Sequence, residues 1–313
     1  ELWRRLRTLA ELEDGRAEKG IHRRYIDETV AEFRLAGADL PTEQRARIEA
    51  LQSELAQVTQ KYSENVLDAT NAWQLVVTDE TQLVGLPPHA KAAARQGAEA
   101  KGVAGWRFTL HMPSQEPFMT YLASDDLRRQ MWTAAVGVGA QAPHDNTPLI
   151  GRILALRAEK AKLLGKTHFA DLVTERRMAK SGAKALAFID DLRGRAAEAF
   201  ARETRELEAF KAEQIGQPAA RLAPWEAAFW AEKLRLARHA FDEEALRPYF
   251  PMDRVITGLF ELASRVFGLR ITERPAGAVE TWHPEVKFYD MHDSRGRHVG
   301  SFYADWHPRE SKR

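Results

Sequence analysis

There is no cysteine among the 313 residues. Disulfides, thiolate metal ligands and a cysteine nucleophile are therefore excluded from this chain, and the composition is compatible with a reducing cytoplasm. No run of about 18 apolar residues occurs, so no segment has the length of a membrane-spanning helix. Charge of one sign is also missing: 46 Lys+Arg stand against 45 Asp+Glu, a net of +1. Such a balance gives no global attraction to nucleic acid or an anionic bilayer. None of the histidines is followed by glutamate. This removes the helical His-Glu-x-x-His arrangement, in which two imidazoles hold zinc and the glutamate activates water. No serine sits in a Gly-x-Ser-x-Gly elbow. Carboxylate spacing alone promotes no pair to acid and base. From residues alone the chain shows no active site.

What is present is mostly helix. Leu2, Leu6 and Leu9 share one face of a first amphipathic segment, and Ile26, Val30 and Phe33 share one of the next. Pro41 ends an element and Thr42 is the expected N-cap of a long helix, along which Ile48, Leu51, Leu55, Val58 and Tyr62 recur three and four apart. The stripe lasts only about two heptads, short for a free coiled coil. It is expected to pack within the chain, against the preceding helices. Trp73 to Val84 reads as strand, turn and short helical piece. An alanine-rich helix (89–101) follows, then a second strand (105–110), with Pro113 and Pro117 marking a loop. Helix returns at Ser124, whose hydroxyl can cap while Asp125 and Asp126 suit the positive helix end. Gly137-Val138-Gly139 lacks the Gly-Lys-Ser/Thr of a phosphate loop and a preceding strand, and is read as a turn. Further helices are expected over 149–164, 181–214 and 225–239, and in a segment stopped by Gly268.

The last stretch, Trp282 to Arg313, changes period. Val286–Met291 and His298–Trp306 are rich in Val, Phe and Tyr, and Asp293-Ser294-Arg295-Gly296 has the residues of a type I turn. A β-hairpin is expected, its second strand running nearly to the last residue. A bare strand edge invites aggregation, and Glu1 already lies in a helical pattern. Both ends are thus expected to be cuts in a longer polypeptide.

Four of the ten histidines fall here: His283, His292, His298 and His307. Imidazole is a common zinc ligand, but the strand spacing does not bring two of them to one face with a carboxylate. Surface histidines are the favoured reading, and no metal ligand is assigned. Glu18 with His22, and His239 with Asp242 and Glu243, are read as local contacts.

Several stretches together resemble the thimet oligopeptidase and bacterial oligopeptidase A family of zinc metallo-oligopeptidases. They are Gly105-Trp106 to Leu110 with Met119 to Tyr121; Asp145 to Ile150; Leu156 to Gly165 with His168 to Ala170; Pro224-Trp225 through Leu234; Phe241 to Pro251; Gly258 to Leu262; Trp282 to Val286; and Gly300 to Asp305 with Lys312-Arg313. The resemblance implies a mainly α, two-lobed peptidase. Residues 1–122 would be a large helical lobe with a small inserted sheet. Residues 123–313 would be the start of a helical zincin-type peptidase domain, with a β-hairpin at the C-terminal end. It implies a cytoplasmic enzyme that hydrolyses internal bonds of short peptides by zinc-activated water.

The family's zinc ligands and base lie beyond the point where this chain ends, so no catalytic or metal-binding residue carries over. The chain alone is expected to bind no catalytic zinc and to be inactive without the missing C-terminal catalytic region. Its expected contribution is a sheet edge on which substrate backbone pairs. Phe302, Tyr303 and Asp305 would be channel-wall residues, and Arg309 and Arg313 would stand near the channel. The alternative from the residues is a non-enzymatic helical scaffold, with the Ile48–Tyr62 stripe as its groove.

Overall fold

The computed structural model describes residues 1–240 and 243–307. In chain order the helices and strands are α1 (Leu2–Glu11), α2 (Glu13–Ala17), α3 (Gly20–Leu35), α4 (Thr42–Ala72), β1 (Gln74–Val77), α5 (Pro88–Glu99), β2 (Trp106–Thr109), α6 (Met112–Tyr121) and α7 (Asp125–Val136). There follow α8 (Thr147–Leu163), α9 (Phe169–Thr174), α10 (Gly182–Gln214), α11 (Ala227–His239), α12 (Met252–Phe267), β3 (Arg270–Glu273), β4 (Lys287–His292) and β5 (His298–Ala304). The chain is mainly α with two small sheets, as expected. None of the described helices is long and apolar enough to cross a membrane. Contacts divide it into two compact units, residues 1–73 with 133–209, and 74–132 with 210–313.

In the first unit α4 lies along α8. Ile48 and Leu51 from α4, and Ile153 and Leu156 from α8, are buried there. The stripe therefore packs inside the chain, but its main partner is a later helix rather than the preceding ones. Two bidentate ion pairs flank this seam, Arg47 with Glu159 (2.6 and 2.7 Å) and Arg152 with Glu54 (2.5 and 2.6 Å). They are exposed, so each contributes little to stability and mainly sets charge complementarity. Deeper, Asn65 Nδ2 donates to Asn146 Oδ1 (2.9 Å), and Asn146 Nδ2 donates to the Tyr62 carbonyl (3.0 Å). Both asparagines are buried. Gly139 makes room for them: its φ is +71°, and a Cβ there would stand 2.9 Å from Asn146 Nδ2. The Gly137–Gly139 segment is thus a turn that seats Asn146, whose N–H bonds the Gly139 carbonyl at 2.8 Å. Thr42 is not the cap of α4. Pro41 holds that position without a side-chain bond.

In the second unit β1 and β2 pair antiparallel, Gln74 opposite Thr109 and Val77 opposite Trp106. α5 packs on this ribbon through Ala90, Ala94 and Ala98, small residues four apart that let the helix lie close. Pro113 and Pro117 do not form the expected loop; both lie in α6. Pro113 is in the first turn, where its missing N–H costs nothing. Pro117 forfeits one helical bond, and burial of Phe118 and Leu122, both fully inaccessible, offsets it. Ser124 caps α7 as expected, its Oγ accepting from Leu127 N–H at 3.4 Å.

The core of this unit closes around Arg128, which is 2% exposed. Its guanidinium donates to the carbonyls of Leu122 and Ala123 and to Asp125 Oδ1 (2.9 Å). It also lies 4.1 Å from the centre of the Phe229 ring on α11. Burial lowers its pKa and Asp125 opposes that shift, but a guanidinium stays charged at any ordinary pH. Asp125 also accepts from Trp225 Nε1 at 3.1 Å, and Trp225 packs on Trp132. Beside them Lys211 Nζ contacts both oxygens of Glu226 at 2.7 and 2.6 Å, and Glu226 accepts the Ala223 N–H at 2.7 Å.

The second sheet has the order β3-β4-β5, antiparallel throughout. The hairpin is present. Asp293 and Arg297 close it, Asp293 Oδ1 accepts from Arg295 and Arg297 N–H, and Gly296 takes φ +76°. That is a type I turn followed by a left-handed residue. β3 was not expected. It is four residues, Arg-Ile-Thr-Glu, directly after the helix stop at Gly268, too short to show a period.

Two outcomes follow for stability. Arg128→Met leaves Leu122, Ala123 and Asp125 without their buried donor and is expected to cost about 3 kcal/mol, read as a shifted urea midpoint. A loss under about 0.5 kcal/mol, the size of an ordinary surface change, would contradict this role. For Glu226, burial alone raises the pKa, but the Lys211 and Ala223 contacts outweigh it and the value is lowered. A lowered folded pKa contributes stability that is present above the unfolded value, about 4.3, and lost as pH falls through the folded value. Urea midpoints taken from pH 6 to pH 3 should therefore fall less steeply in Glu226→Gln than in the parent chain.

Candidate functional site

The sheet of β3, β4 and β5 has two unlike faces, because side chains alternate along each strand. On one face Phe302 stacks on Tyr289 (5.2 Å between ring centres, 20° between planes), and Phe260 of α12 meets both rings edge-on at 6.4 and 5.0 Å. Ala304 is buried on the same side of β5. The other face carries Tyr303 against Phe288 at 4.7 Å and Trp282 at 5.2 Å. Tyr303 is 43% and Trp282 64% exposed. The Tyr303 hydroxyl donates to the Glu280 carbonyl at 3.3 Å, and Trp282 Nε1 donates to Asp305 Oδ2 at 3.3 Å. These two bonds tie the segment before β4 to β5 and its exit. Among the described residues β5 pairs only with β4, so its outer edge has no strand neighbour. Val299 is an extra residue in this pairing: His292 opposes His298 while Met291 opposes Gly300, a bulge that turns the strand end.

Phe288 also borders a cavity of about 490 Å³ between the β3–β4 connection and the start of β4. Its charged lining includes Arg274, Glu285 and the pair Glu273 and Lys287, 3.1 Å apart. The Glu273 contact raises the Lys287 pKa. Tyr289, whose hydroxyl reaches Glu273 Oε2 at 3.4 Å, is raised chiefly by burial.

Of the five residues expected at a channel, Phe302, Tyr303 and Asp305 lie together on β5 and its exit. Phe302 points to α12, and Tyr303 belongs to the exposed aromatic face. Arg309 and Arg313 lie outside the described residues. Trp282, which joins Tyr303 and Asp305, could not be found by strand alternation because it lies outside both strands.

Three residues of hydrolase type do meet on the hairpin. His298 Nε2 is 2.8 Å from Ser301 Oγ, which donates to Asp290 Oδ1 at 2.7 Å. The order is wrong for nucleophilic catalysis. The serine has given its only proton to the carboxylate, so the imidazole donates to the serine oxygen instead of accepting from it. Asp290 is lowered in pKa first by that serine bond and then by Arg274 and the nearby imidazoles. His292 and His298 have ring centres 5.5 Å apart, and His283 Nδ1 accepts the Glu285 N–H. Among the described residues no three His, Asp or Glu side chains converge as metal ligands. These residues do not fit a zinc centre.

Comparison with known proteins bears on the same segment. A family model described as "Peptidase family M3" matches residues 118–313, well over half the chain, including α7, α11, α12 and the three-stranded sheet. The chain belongs to peptidase family M3. The resemblance to oligopeptidase A extends over nearly all of this chain. The Haemophilus influenzae protein named Oligopeptidase A is 40% identical over 296 residues, which is 93% of this chain and 43% of that protein. The Escherichia coli Oligopeptidase A is 38% identical over the same length and shares. An Arabidopsis thaliana Organellar oligopeptidase A is 32% identical over 319 residues, 100% of this chain and 40% of its own length. This M3 chain thus spans a little under half the length of the curated relatives it matches.

Proposed function

We propose that this chain is part of a zinc-dependent oligopeptidase of the cytoplasm that hydrolyses internal bonds of short peptides. The observation that carries this is the M3 match over residues 118–313, together with relatives named oligopeptidase A at up to 40% identity. We take residues 1–122 as the helical N-terminal lobe and 123–313 as the first part of the peptidase domain, a division supported by the family match beginning at residue 118. Bound zinc would supply the activated water. Its ligands are assigned outside the described residues, which contain no convergent set.

The part of the work assigned to this chain is substrate placement. An extended peptide can add to the outer edge of β5 by backbone hydrogen bonds, with Tyr303, Trp282 and Asp305 beside it and Phe302 anchoring the strand from behind. Arg309 and Arg313, just downstream, are assigned to the channel by position in sequence. For the scaffold alternative, Ile48 and Leu51 of the proposed groove are each only 1% exposed and are not open to a partner.

With a fluorogenic peptide and added zinc, the 313-residue chain is expected to give no turnover above the protein-free blank. Hydrolysis abolished by a chelator would overturn the assignment of the catalytic residues elsewhere. In a longer M3 enzyme carrying this segment, Tyr303→Ala is expected to raise KM about fivefold, the kinetic equivalent of roughly 1 kcal/mol of binding. An unchanged KM and kcat would remove Tyr303 from the channel wall.

A further inference from the structure

α12 carries more apolar surface than its own unit covers. At about 100° per residue, Ile256, Phe260 and Ala263 face the three-stranded sheet. Phe260 meets Tyr289 and Phe302 there. Beside that face runs a second stripe, Met252, Val255, Leu259, Leu262 and Val266, spaced three, four, three and four. These five are 47%, 47%, 51%, 58% and 61% exposed. Together the two faces make an apolar arc of about 160°, well beyond the roughly 100° that a helix needs to sit on one neighbour. Asp253, Arg254, Glu261 and Arg265 occupy the rest of the circumference, so α12 is amphipathic and built for two neighbours.

The spacing states what kind of neighbour is missing. A three-four alternation presents the ridges that a helix fills at a shallow crossing angle. Gly258, next to the stripe, points the same way. A glycine in mid-helix costs about 1 kcal/mol, yet among the described residues no atom beyond its own stretch of helix lies within 4 Å of where its Cβ would stand. No contact among the described residues accounts for that cost, whereas a helix approaching closely would. A second copy of the chain is a poor occupant, since 16 residues give about two heptads and self-pairing needs three to four. The length of the relatives supplies a better one: more than half of each matched oligopeptidase A lies outside the part this chain matches.

We infer that the Met252–Val266 stripe is the seat of an amphipathic helix contributed by that further part of an M3 polypeptide. The inference rests on family membership and coverage, and peptidase activity does not enter it.

The absence of cysteine makes the test direct. Leu259→Cys and Leu262→Cys place a thiol on the stripe, and Glu261→Cys places one on the polar side of the same helix. Alkylation rates are followed by mass spectrometry of the labelled peptide. They are compared between the 313-residue chain and a chimera in which this chain replaces the matched segment of the Haemophilus influenzae oligopeptidase A. The expected result is fast labelling of all three in the 313-residue chain. In the chimera the two stripe positions should slow roughly tenfold or more, with Glu261→Cys unchanged, since alkylation follows thiol exposure. Equal rates in both proteins would overturn the inference. So would protection of Leu259→Cys already in the 313-residue chain at a light-scattering mass of two copies, which would assign the stripe to self-association. Because the readout is labelling, an inactive chimera leaves the result intact and counts only against the catalytic proposal.

Discussion

The second unit depends on one buried cation. Arg128 sits where the end of α6, the start of α7 and the face of α11 meet, and each supplies something that a guanidinium needs. The carbonyls of Leu122 and Ala123, the two residues that follow α6, accept hydrogen bonds, Asp125 supplies the opposite charge, and Phe229 supplies a ring face. A helix end leaves carbonyls unsatisfied, and here a side chain from the next helix satisfies them instead of water. The same Asp125 holds Trp225, so the charge on one helix orients the chain leading into another. Desolvating a guanidinium is costly. The bonds from Nη1 and Nη2 and the Phe229 ring face offset that cost. Among the described residues the buried Nε has no hydrogen-bond partner of its own, so the arrangement has little margin for losing another bond.

Much of this was legible in the sequence where period and turn chemistry were strong. The hairpin followed from Val, Phe and Tyr on either side of Asp-Ser-Arg-Gly, and Ser124 with two aspartates marked the start of α7. What was hidden depended on tertiary partners. Arg128 and Arg129 are adjacent and chemically identical, yet one is 2% exposed and the other 54% at its side chain. No local pattern separates them. Pro117 looked like a loop residue because propensity ignores the burial of Phe118 that outweighs it. β3 is four residues long and exists because β4 offers it an edge. At the candidate site, Phe302 and Tyr303 were both expected at the channel wall, whereas in the fold they lie on opposite faces of β5, and the link from Trp282 to Asp305 also needed the fold.

The two sheets show how differently short strands can be used. The β1–β2 ribbon is a floor for an alanine-faced helix, and its strands are largely covered. The β3–β4–β5 sheet buries one aromatic face under α12 and leaves another, with a strand edge, open. The proposed peptide placement would use that openness, since an extended peptide can pair with a backbone edge while its side chains meet an aromatic face.

The asparagine pair between α4 and α8 makes the seam of the first unit behave as a keyed joint. Apolar side chains along two helices tolerate sliding, because one leucine resembles the next a turn away. Two amides that must find each other do not tolerate it. Displacing α4 by a single turn would carry Asn65 and the Tyr62 carbonyl about 5.4 Å along the axis, stranding buried donors among aliphatic groups. The first unit therefore has one admissible phase between α4 and α8, set by a polar contact and not by the larger apolar surface around it.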